Sequence, residues 1–345
     1  MVENIAKREI ALAFLVKFVL LVILKEKNQL KQKKHNMEIL GIGNAIVDVI
    51  CKVDEKFLSQ NNLSKGNMKL IFDEKEFKKL ISNLKIEKTI SGGSVANSIV
   101  GLAQLGNKVG FIGKVSDDDL GNKYEIGLKN ENVNYIYKKK KEVLPTGTCL
   151  ILITPDSERT MCTFLGIAGK INDNDVNKEA IKKSKIIFLE GYLWDEGQPK
   201  KAFNKAIENS NKAAMTLSDK FCVDRHKPHF FDLVKNKLNI TFANEDEIKS
   251  LIDTQNFNDV IQFGKQIKKL LIITRGKKGA VSINGDVVTE IEAKKNLNIV
   301  DLTGAGDLFA CGYLHGYLNN LSQKECLEKG TEMSSKIIQQ IGARI

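Results

Sequence analysis

The segment Asp301-Leu302-Thr303-Gly304-Ala305-Gly306-Asp307-Leu308-Phe309 places three consecutive small residues directly before an apolar stretch. Apolar residues recur at helical spacing through this stretch, which predicts a helix over Asp307–Leu318 with one face in a core. Small residues let backbone N–H groups approach an anion closely, and the N-terminus of a helix adds partial positive charge. The segment therefore predicts an oxyanion or phosphate site at the start of a helix, with the Asp307 carboxylate beside it.

Asp307 itself has two interpretations. It can be an acid in the first turn of a helix, which stabilises the helix by about 1 kcal/mol or less. It can also be a general base that takes a proton from an attacking hydroxyl. The whole pattern Thr-Gly-Ala-Gly-Asp favours the general base. The chain has no Walker A pattern, which excludes a P-loop enzyme.

Short apolar runs alternate with helical stretches through the rest of the chain. Several runs are unbroken, which is typical of strands buried on both faces of a sheet. This alternation predicts an α/β fold with a doubly wound, mostly parallel sheet flanked by helices. The predicted strands are Ile39–Ile42, Val109–Ile112, Ile186–Leu189, Ala213–Leu217, Ile240–Ala243 and Leu270–Thr274, and the predicted helices are Asn97–Leu105, Lys200–Asn209, Phe257–Lys269 and Asp307–Leu318.

Two stretches interrupt the alternation. Asn67–Phe72 has strand-like composition, and Thr148–Thr154 is followed by the turn residues Pro-Asp-Ser and then by Arg159–Leu165, which predicts a hairpin. We expect these strands, from parts of 44–72 and 145–166, to form a small β-sheet lid over the main domain.

Residues 1–36 differ from the rest of the chain. Ile10–Leu24 is almost wholly apolar and is flanked by basic residues. A helix over it would be about 22 Å long, shorter than the roughly 30 Å hydrocarbon core of a bilayer. Three interpretations stay open: a short membrane anchor, an amphipathic accessory helix, or translated sequence upstream of the true start. We favour the last, with the domain spanning 37–345, and expect no membrane role unless residues 10–24 act as an anchor.

Composition excludes several classes of protein. With 42% hydrophobic and 28% charged residues among 345, the chain is neither disordered nor fibrous. Its 6 cysteines are scattered, which predicts a reducing, cytoplasmic environment. The net charge of +11 comes mostly from dispersed lysines, whereas a nucleic-acid surface clusters its charge and adds arginine and aromatic residues. We therefore expect no nucleic-acid partner.

Five motifs in order resemble the ribokinase-like (PfkB) family of carbohydrate and nucleoside kinases. The resemblance extends from Leu40 to Arg344, nearly all of the chain after Met37. The motifs are Gly41–Asp48, Ser91–Asn97, Gly113–Gly121, Asn244–Glu247 and Asp301–Asp307. Within the family, the chain is most similar to the adenosine kinases of bacteria. The segments that carry this second likeness are Gly43–Asp48, Glu158–Met161, Glu190–Asp195, Ser218–Arg225 and Ile341–Arg344.

The resemblance implies an ATP-dependent phosphotransferase that phosphorylates the 5′-hydroxyl of adenosine in purine salvage, with Asp307 as general base. Gly304, Ala305, Gly306 and Arg159 would stabilise the transferring phosphoryl group. The residues implied to bind the acceptor are Asn44, Asp48, Gly92, Gly93 and Asn97. Those implied to bind ATP are Thr274, Gly276, Gly279, Asn298 and Thr303.

The resemblance also implies metal ions. Asn244 and Glu247 would hold Mg²⁺ largely through water, as expected for an ion that dehydrates reluctantly. Asp301 would lie at a monovalent-cation site for K⁺. The partners are therefore ATP and a small-molecule acceptor, and the protein is a monomer or a homodimer. Two alternatives stay open: a sugar kinase of the same family acting on ribose, fructose or a similar sugar, and a non-catalytic small-molecule sensor.

Overall fold

A large sheet and a small sheet hold the strands of the computed structural model, which describes residues 36–156, 158–194 and 198–345. The predictions for the extension 1–36, including its apolar stretch Ile10–Leu24, lie outside these residues except for Asn36. Residues Met37–Ile345 form one compact unit.

Within the described residues the chain forms fourteen strands and eleven α-helices. The strands are β1 (Met37–Ile42), β2 (Ile46–Lys52), β3 (Met68–Leu70), β4 (Ile86–Ser91), β5 (Val109–Ile112), β6 (Asn134–Tyr135), β7 (Gly147–Ile153), β8 (Arg159–Phe164), β9 (Ser184–Glu190), β10 (Ala213–Thr216), β11 (Ile240–Asn244), β12 (Leu270–Thr274), β13 (Ala280–Asn284) and β14 (Val287–Ile291). The helices are α1 (Glu55–Gln60), α2 (Glu74–Ser82), α3 (Ser94–Gln104), α4 (Asp119–Asn130), α5 (Lys178–Lys182), α6 (Pro199–Asn209), α7 (Lys220–Asp232), α8 (Glu245–Leu251), α9 (Phe257–Ile267), α10 (Ala305–Leu318) and α11 (Gln323–Ile337).

The large sheet has the strand order β14-β13-β12-β11-β10-β9-β1-β5-β6. From β6 to β12 every neighbouring pair is parallel, and β13 and β14 add an antiparallel edge. The prediction of a doubly wound, mostly parallel sheet is therefore confirmed. Apolar runs such as Leu270–Thr274 have no polar face because both faces of these strands are covered.

Two cores lie on the two faces of this sheet. One contains Ile99 of α3 and Leu314 of α10, and the other contains Phe203 of α6 and Phe230 of α7, all fully buried. Burying a side chain of this size stabilises the fold by about 1.5–3 kcal/mol. Helices cover both faces of the sheet, so the ends of its strands stay accessible. Open α/β sheets bind ligands at the carboxyl ends of their strands.

The small sheet has the order β3-β8-β7-β2-β4. Strands β7 and β8 form the predicted antiparallel hairpin, and the hydroxyl of Thr154 donates to Oδ1 of Asp156 at 2.6 Å in its turn. The lid prediction missed β4 because Ile86–Ser91 is a largely exposed strand with two charged residues. Among the described residues, none of the helices combines the length and the apolar character that a bilayer crossing requires.

Candidate active site

The junction between the two sheets brings two of the predicted motifs together. The chain leaves the large sheet at Ile42 and enters the small sheet at Ile46, and it returns from β4 through Gly92 and Gly93 into α3. The amide of Gly92 donates to the carbonyl oxygen of Ile46 at 2.6 Å. Segments 43–46 and 91–94 therefore lie side by side at the edge of the sheet.

Close contacts within the fold favour glycine at two of the predicted acceptor-site positions, Gly92 and Gly93. Gly93 has φ +101°, and a Cβ there would lie 2.2 Å from the carbonyl oxygen of Asn44. A Cβ on Gly92 would lie 2.5 Å from Oδ2 of Asp48. A side chain at either position would separate the two segments.

Asp307 lies in the first turn of α10 and faces the start of α3. Its Oδ1 accepts from the hydroxyl of Ser94 at 2.6 Å, and its Oδ2 accepts from Nδ2 of Asn97 at 3.0 Å. Burial raises the pKa of Asp307 to about 6, against the opposing hydrogen bonds from Ser94 and Asn97. A carboxylate that is ionised at neutral pH, with a pKa this close to it, is suited to general-base chemistry.

The small-residue turn before α10 has the predicted form. Gly304 is the N-cap residue with φ +77°, and a Cβ there would lie 2.8 Å from Ala343. A Cβ on Gly306 would meet no protein atom within 4 Å. The amide of Ala305 donates to the carbonyl oxygen of Leu302 at 3.2 Å. The other first amides of a helix lack partners within it, so this side of the turn offers donors and open space to an anion.

Asp48 lies on β2 and is half-buried at the wall of a cleft. Burial raises the pKa of Asp48 to about 7, and the Arg344 guanidinium opposes that rise. A cleft of about 700 Å³ is bordered by Asp48, Asn97, Arg159 and Thr303. The structure thus brings two of the predicted acceptor residues, Asp48 and Asn97, to one cavity with Arg159, and Asp307 is hydrogen-bonded to Asn97.

Glu190 is a residue of this site that the sequence motifs did not single out for a role. One carboxylate oxygen accepts from Nδ2 of Asn44 at 3.0 Å and from its amide at 3.3 Å, and the other accepts from the amide of Val95 at 2.9 Å. Burial raises the pKa of Glu190 to about 7. Asn44 Oδ1 is buried and has no hydrogen-bond partner among the described residues, so it can accept a hydrogen bond from a ligand. The signal in the sequence that could have identified Glu190 is an acidic residue at the end of the apolar strand β9.

Asp301 holds the predicted lid arginine. Its Oδ2 lies 2.5 Å from Nη1 of Arg159 and accepts from the amide of Gly342, and its Oδ1 accepts from the amide and hydroxyl of Thr303. Burial alone would raise the pKa of Asp301, but these hydrogen bonds and the Arg159 charge hold it below its usual range. Asp301 thus ties the lid, the turn and the C-terminus together. Its role at a cation site stays a prediction.

Asn244 and Glu247 form a capping box at the start of α8. The Asn244 amide and Nδ2 donate to the two Glu247 oxygens at 3.0 and 2.6 Å. Burial raises the pKa of Glu247 to about 7, and the neighbouring Asp219 and Asp246 add to the rise. The described residues contain no group of three or more acidic, His or Cys side chains spaced to hold a metal ion. A buried carboxylate and a side-chain amide at the carboxyl end of β11 are chemically suited to Mg²⁺ held largely through water, and their role as its ligands stays a prediction.

The residues predicted to bind ATP lie farther apart in the structure than those predicted to bind the acceptor, and the structure ties fewer of them to one site. Thr274 pairs with Asn244 across β12 and β11, so it lies at the same sheet edge. Gly279 has φ +90° and packs against the carbonyl oxygen of Ile291, which accounts for the glycine without a ligand. Gly276 and Asn298 are exposed. Of the five, Thr303 borders the cleft described above.

A family model described as "pfkB family carbohydrate kinase" matches residues 60–345. The chain belongs to the PfkB family. The predicted family and the predicted ribokinase-like fold are therefore confirmed. Membership in the PfkB family makes the protein a phosphotransferase of the kinase type with an alcohol group as acceptor and ATP as the phosphoryl donor, typically with Mg²⁺.

Solved relatives support the same assignment. An adenosine kinase from Sinorhizobium meliloti is 35% identical with a TM-score of 0.81, covering 90% of this chain and 96% of that one. A probable sugar kinase from Rhizobium etli is 35% identical with a TM-score of 0.80, covering 90% and 95%.

Curated relatives are more distant and fall into two groups. Adenosine kinase of Dictyostelium discoideum is 28% identical over 338 residues, covering 90% of this chain and 97% of the relative. A 5-dehydro-2-deoxygluconokinase of Geobacillus kaustophilus is 26% identical over 270 residues, covering 72% and 78%. Similarity thus identifies the PfkB family and leaves its acceptor to be argued from the site.

Proposed function

We propose that this protein transfers the γ-phosphoryl group of ATP to the 5′-hydroxyl of adenosine, forming AMP and ADP in purine salvage in the cytoplasm. The observation that carries the proposal is the pinning of Asp307 by Ser94 and Asn97 at a helix start whose far side is open. Asp48 borders the cleft that Asn97 also lines.

The first chemical step is removal of the hydroxyl proton. Both Asp307 oxygens already accept hydrogen bonds, so the acceptor hydroxyl replaces or shares one of them. Ser94 is suited to the exchange because its hydroxyl rotates freely, while Asn97 keeps the carboxylate oriented. The proton passes to Asp307 as the oxygen attacks phosphorus.

Charge on the transferring group is met from two directions. The amides of Gly304 and Gly306 and the positive end of α10 lie on one side. The amide of Ala305 would join them by exchanging its hydrogen bond to the carbonyl oxygen of Leu302. Arg159 approaches from the lid hairpin. Its Nη1 is paired with Asp301, and its Nη2 is buried with no partner in the part of the chain that the structure describes. A guanidinium fork suits phosphoryl oxygens better than an ammonium group does.

Asn244 and Glu247 would hold Mg²⁺ through water, and the ion, when bound, neutralises charge on the ATP phosphates. The adenine and ribose of ATP would lie toward Thr274, Gly276, Gly279 and Asn298. The K⁺ role of Asp301 rests on family resemblance, and its support here is the position of Asp301 beside Thr303 and Gly342.

The acceptor would be recognised through its ribose. A carboxylate such as Asp48 can accept hydrogen bonds from two vicinal hydroxyls, and Oδ1 of Asn44, which has no partner within the described residues, can accept another. A cleft of about 700 Å³ falls within the range of sites that bury small ligands. The similarity to the adenosine kinase of Sinorhizobium meliloti favours a purine nucleoside.

A sugar kinase is the second candidate. It is favoured by the similarity to the probable sugar kinase of Rhizobium etli and to 5-dehydro-2-deoxygluconokinases. Ribose or fructose would use the same Asp48 and Asp307 contacts and would leave the base end of the cleft empty.

The deciding experiment measures ADP release by the purified full chain with ATP, Mg²⁺ and one acceptor at a time. The panel is adenosine, inosine, ribose, fructose and 5-dehydro-2-deoxygluconate. We expect adenosine to give the highest kcat/KM. A sugar that exceeds adenosine by tenfold or more replaces the proposal with the sugar kinase, and binding of an acceptor with no turnover of any acceptor replaces it with the small-molecule sensor.

A further inference from the structure

Arg344, the penultimate residue, lies in the acceptor cleft. It borders the same cavity as Asp48 and Asn97. Its Nε donates to Oδ1 of Asn97 at 3.1 Å, and Asn97 in turn donates to Asp307. The C-terminus therefore reaches a residue that orients the proposed base.

The C-terminal segment is fixed from several sides. The amide of Gly342 donates to Asp301 at 2.9 Å, and Ala343 packs against Gly304 of the small-residue turn. Gln340 Nε2 donates to the carbonyl oxygen of Arg344, and Gln104 Nε2 donates to that of Ile345, both at 3.0 Å. The position of Arg344 is thus determined by hydrogen bonds and packing of the surrounding backbone.

One end of the Arg344 guanidinium has no partner. Nη2 is buried and makes no hydrogen bond within the described residues. A guanidinium carries five N–H donors and accepts no hydrogen bond, so Nη2 can be satisfied only by an acceptor atom. Asp48 and Asp307 lie near enough for the Arg344 charge to oppose the effect of burial on the pKa of each. A ligand in the cleft beside Asp48 can therefore supply the acceptor atom that Nη2 lacks.

We propose that Arg344 binds the phosphoryl acceptor, with Nη2 donating to a hydroxyl oxygen of the diol whose protons are donated to Asp48. This inference rests on the proposed function, since it assigns a contact to the acceptor of that reaction. A hydroxyl both donates and accepts hydrogen bonds. An acceptor in Asp48 and a donor in Arg344 together are therefore more selective for a hydroxyl group than either residue alone. Arg344 would then select ribose over deoxyribose acceptors.

The test compares Arg344→Gln and Arg344→Lys in the full chain. Lys336→Gln is the matched control, since it removes the same charge from an exposed pair with Glu332 on α11. We expect Arg344→Gln to raise KM for the acceptor about 50-fold and to leave KM for ATP within about twofold. Arg344→Lys should recover part of the loss because it keeps the charge without the fork. Lys336→Gln should behave as wild type.

A second readout separates binding from positioning. We expect the wild type to prefer adenosine over 2′-deoxyadenosine or 3′-deoxyadenosine, and Arg344→Gln to reduce at least one of these preferences about tenfold. An equal loss on all three nucleosides means that Arg344 only positions Asn97, which overturns the inference. A gain of activity in Arg344→Gln shows that the tail obstructs the site, which also overturns it.

Failure of the proposed function gives a different pattern. If the wild type uses a sugar instead of adenosine, the same comparison is made with that sugar and its deoxy derivatives, and selective loss in Arg344→Gln still supports the contact. If the wild type uses adenosine but Arg344→Gln matches it in KM and selectivity, the adenosine assignment stands and the role of Arg344 does not.

Discussion

The acceptor end and the nucleotide end of the site differ in how far the protein has satisfied its own polar groups. At the acceptor end Asn97 and Glu190 are buried, and Asn97 donates to Asp307 while Glu190 accepts from the amide of Val95. At the nucleotide end the chain before the small-residue turn exposes apolar side chains. Ile299 is 55% and Leu302 is 65% exposed. One end is preorganised by protein contacts, and the other presents amides and apolar surface to a ligand.

This difference explains why glycines that look alike in the sequence do different things. Gly93 is fixed by the backbone of Asn44, whereas Gly306 has no protein neighbour within 4 Å of a Cβ. The first protects the fold and the second leaves room for a phosphoryl group. The predictions below test whether disruption of the acceptor end affects the fold and disruption of the nucleotide end affects only activity.

The largest effect is expected from Asp307→Asn. The change keeps the shape and the neighbours Ser94 and Asn97 but removes the proton acceptor, so kcat should fall about 10⁴-fold. Thermal unfolding and ATP binding should change little. Asp286→Asn, in the exposed turn between β13 and β14, is the control and should leave kcat unchanged. Near-normal kcat in Asp307→Asn would remove Asp307 from the role of base.

The pair Gly306→Ala and Gly93→Ala tests most directly whether one glycine serves activity and the other serves the fold. A methyl group on Gly306 enters the space proposed for the phosphoryl group, so kcat/KM should fall about 100-fold with no change in the melting temperature. Gly93→Ala should lower the melting temperature by several degrees, because a residue at φ +101° would also clash with Asn44. Equal melting temperatures for the two variants would contradict the distinction.

Glu190→Gln tests the acceptor end alone. Glu190 accepts hydrogen bonds from both Asn44 nitrogens and from Val95, and an amide nitrogen in its place would face one of these donors. We expect KM for the acceptor to rise about tenfold and the free energy of unfolding to fall by about 1–3 kcal/mol. KM for ATP is the internal control. A matching rise in KM for ATP would show that the two ends are not separate.

The smallest effects concern pH, and activity and stability should move in opposite directions. Burial raises the folded-state pKa of Asp307 to about 6 and those of Asp48, Glu190 and Glu247 to about 7. The folded state therefore binds more protons than the unfolded state between about pH 4 and pH 7. These groups stabilise the fold below about pH 4, and their contribution is lost as pH rises through 7.

Activity requires the ionised Asp307, so kcat/KM should fall about tenfold per pH unit below about pH 6. The measurements are pH profiles of kcat/KM and of the melting temperature from pH 5 to 8. Asp307→Asn should keep a falling melting temperature with rising pH while losing the activity profile. A melting temperature that rises steadily across this range would contradict the assignment of these carboxylates as the dominant titrating groups.

Local sequence predicted the elements that carry their own signal. The predicted bounds Val109–Ile112 and Leu270–Thr274 match the strands in full, because both faces of these strands are buried and only apolar residues remain. Helix α3 begins at Ser94, three residues before its predicted start at Asn97, because the polar Ser94 and the preceding glycines hide the beginning of the helical pattern. The edge hairpin β13–β14 was not predicted, since its strands are short and one of them is partly exposed.

The sequence by itself determined the α/β class, the small-residue turn with Asp307, and the family, because these depend on residues that are adjacent or periodic along the chain. Tertiary structure alone decided that Ser94 holds Asp307, that Glu190 joins Asn44 to Val95, and that Arg344 reaches Asn97. Each of these contacts joins residues from separate elements, and no local preference encodes such a pairing. It arises only when the parallel sheet brings its carboxyl ends and the C-terminus to the same edge.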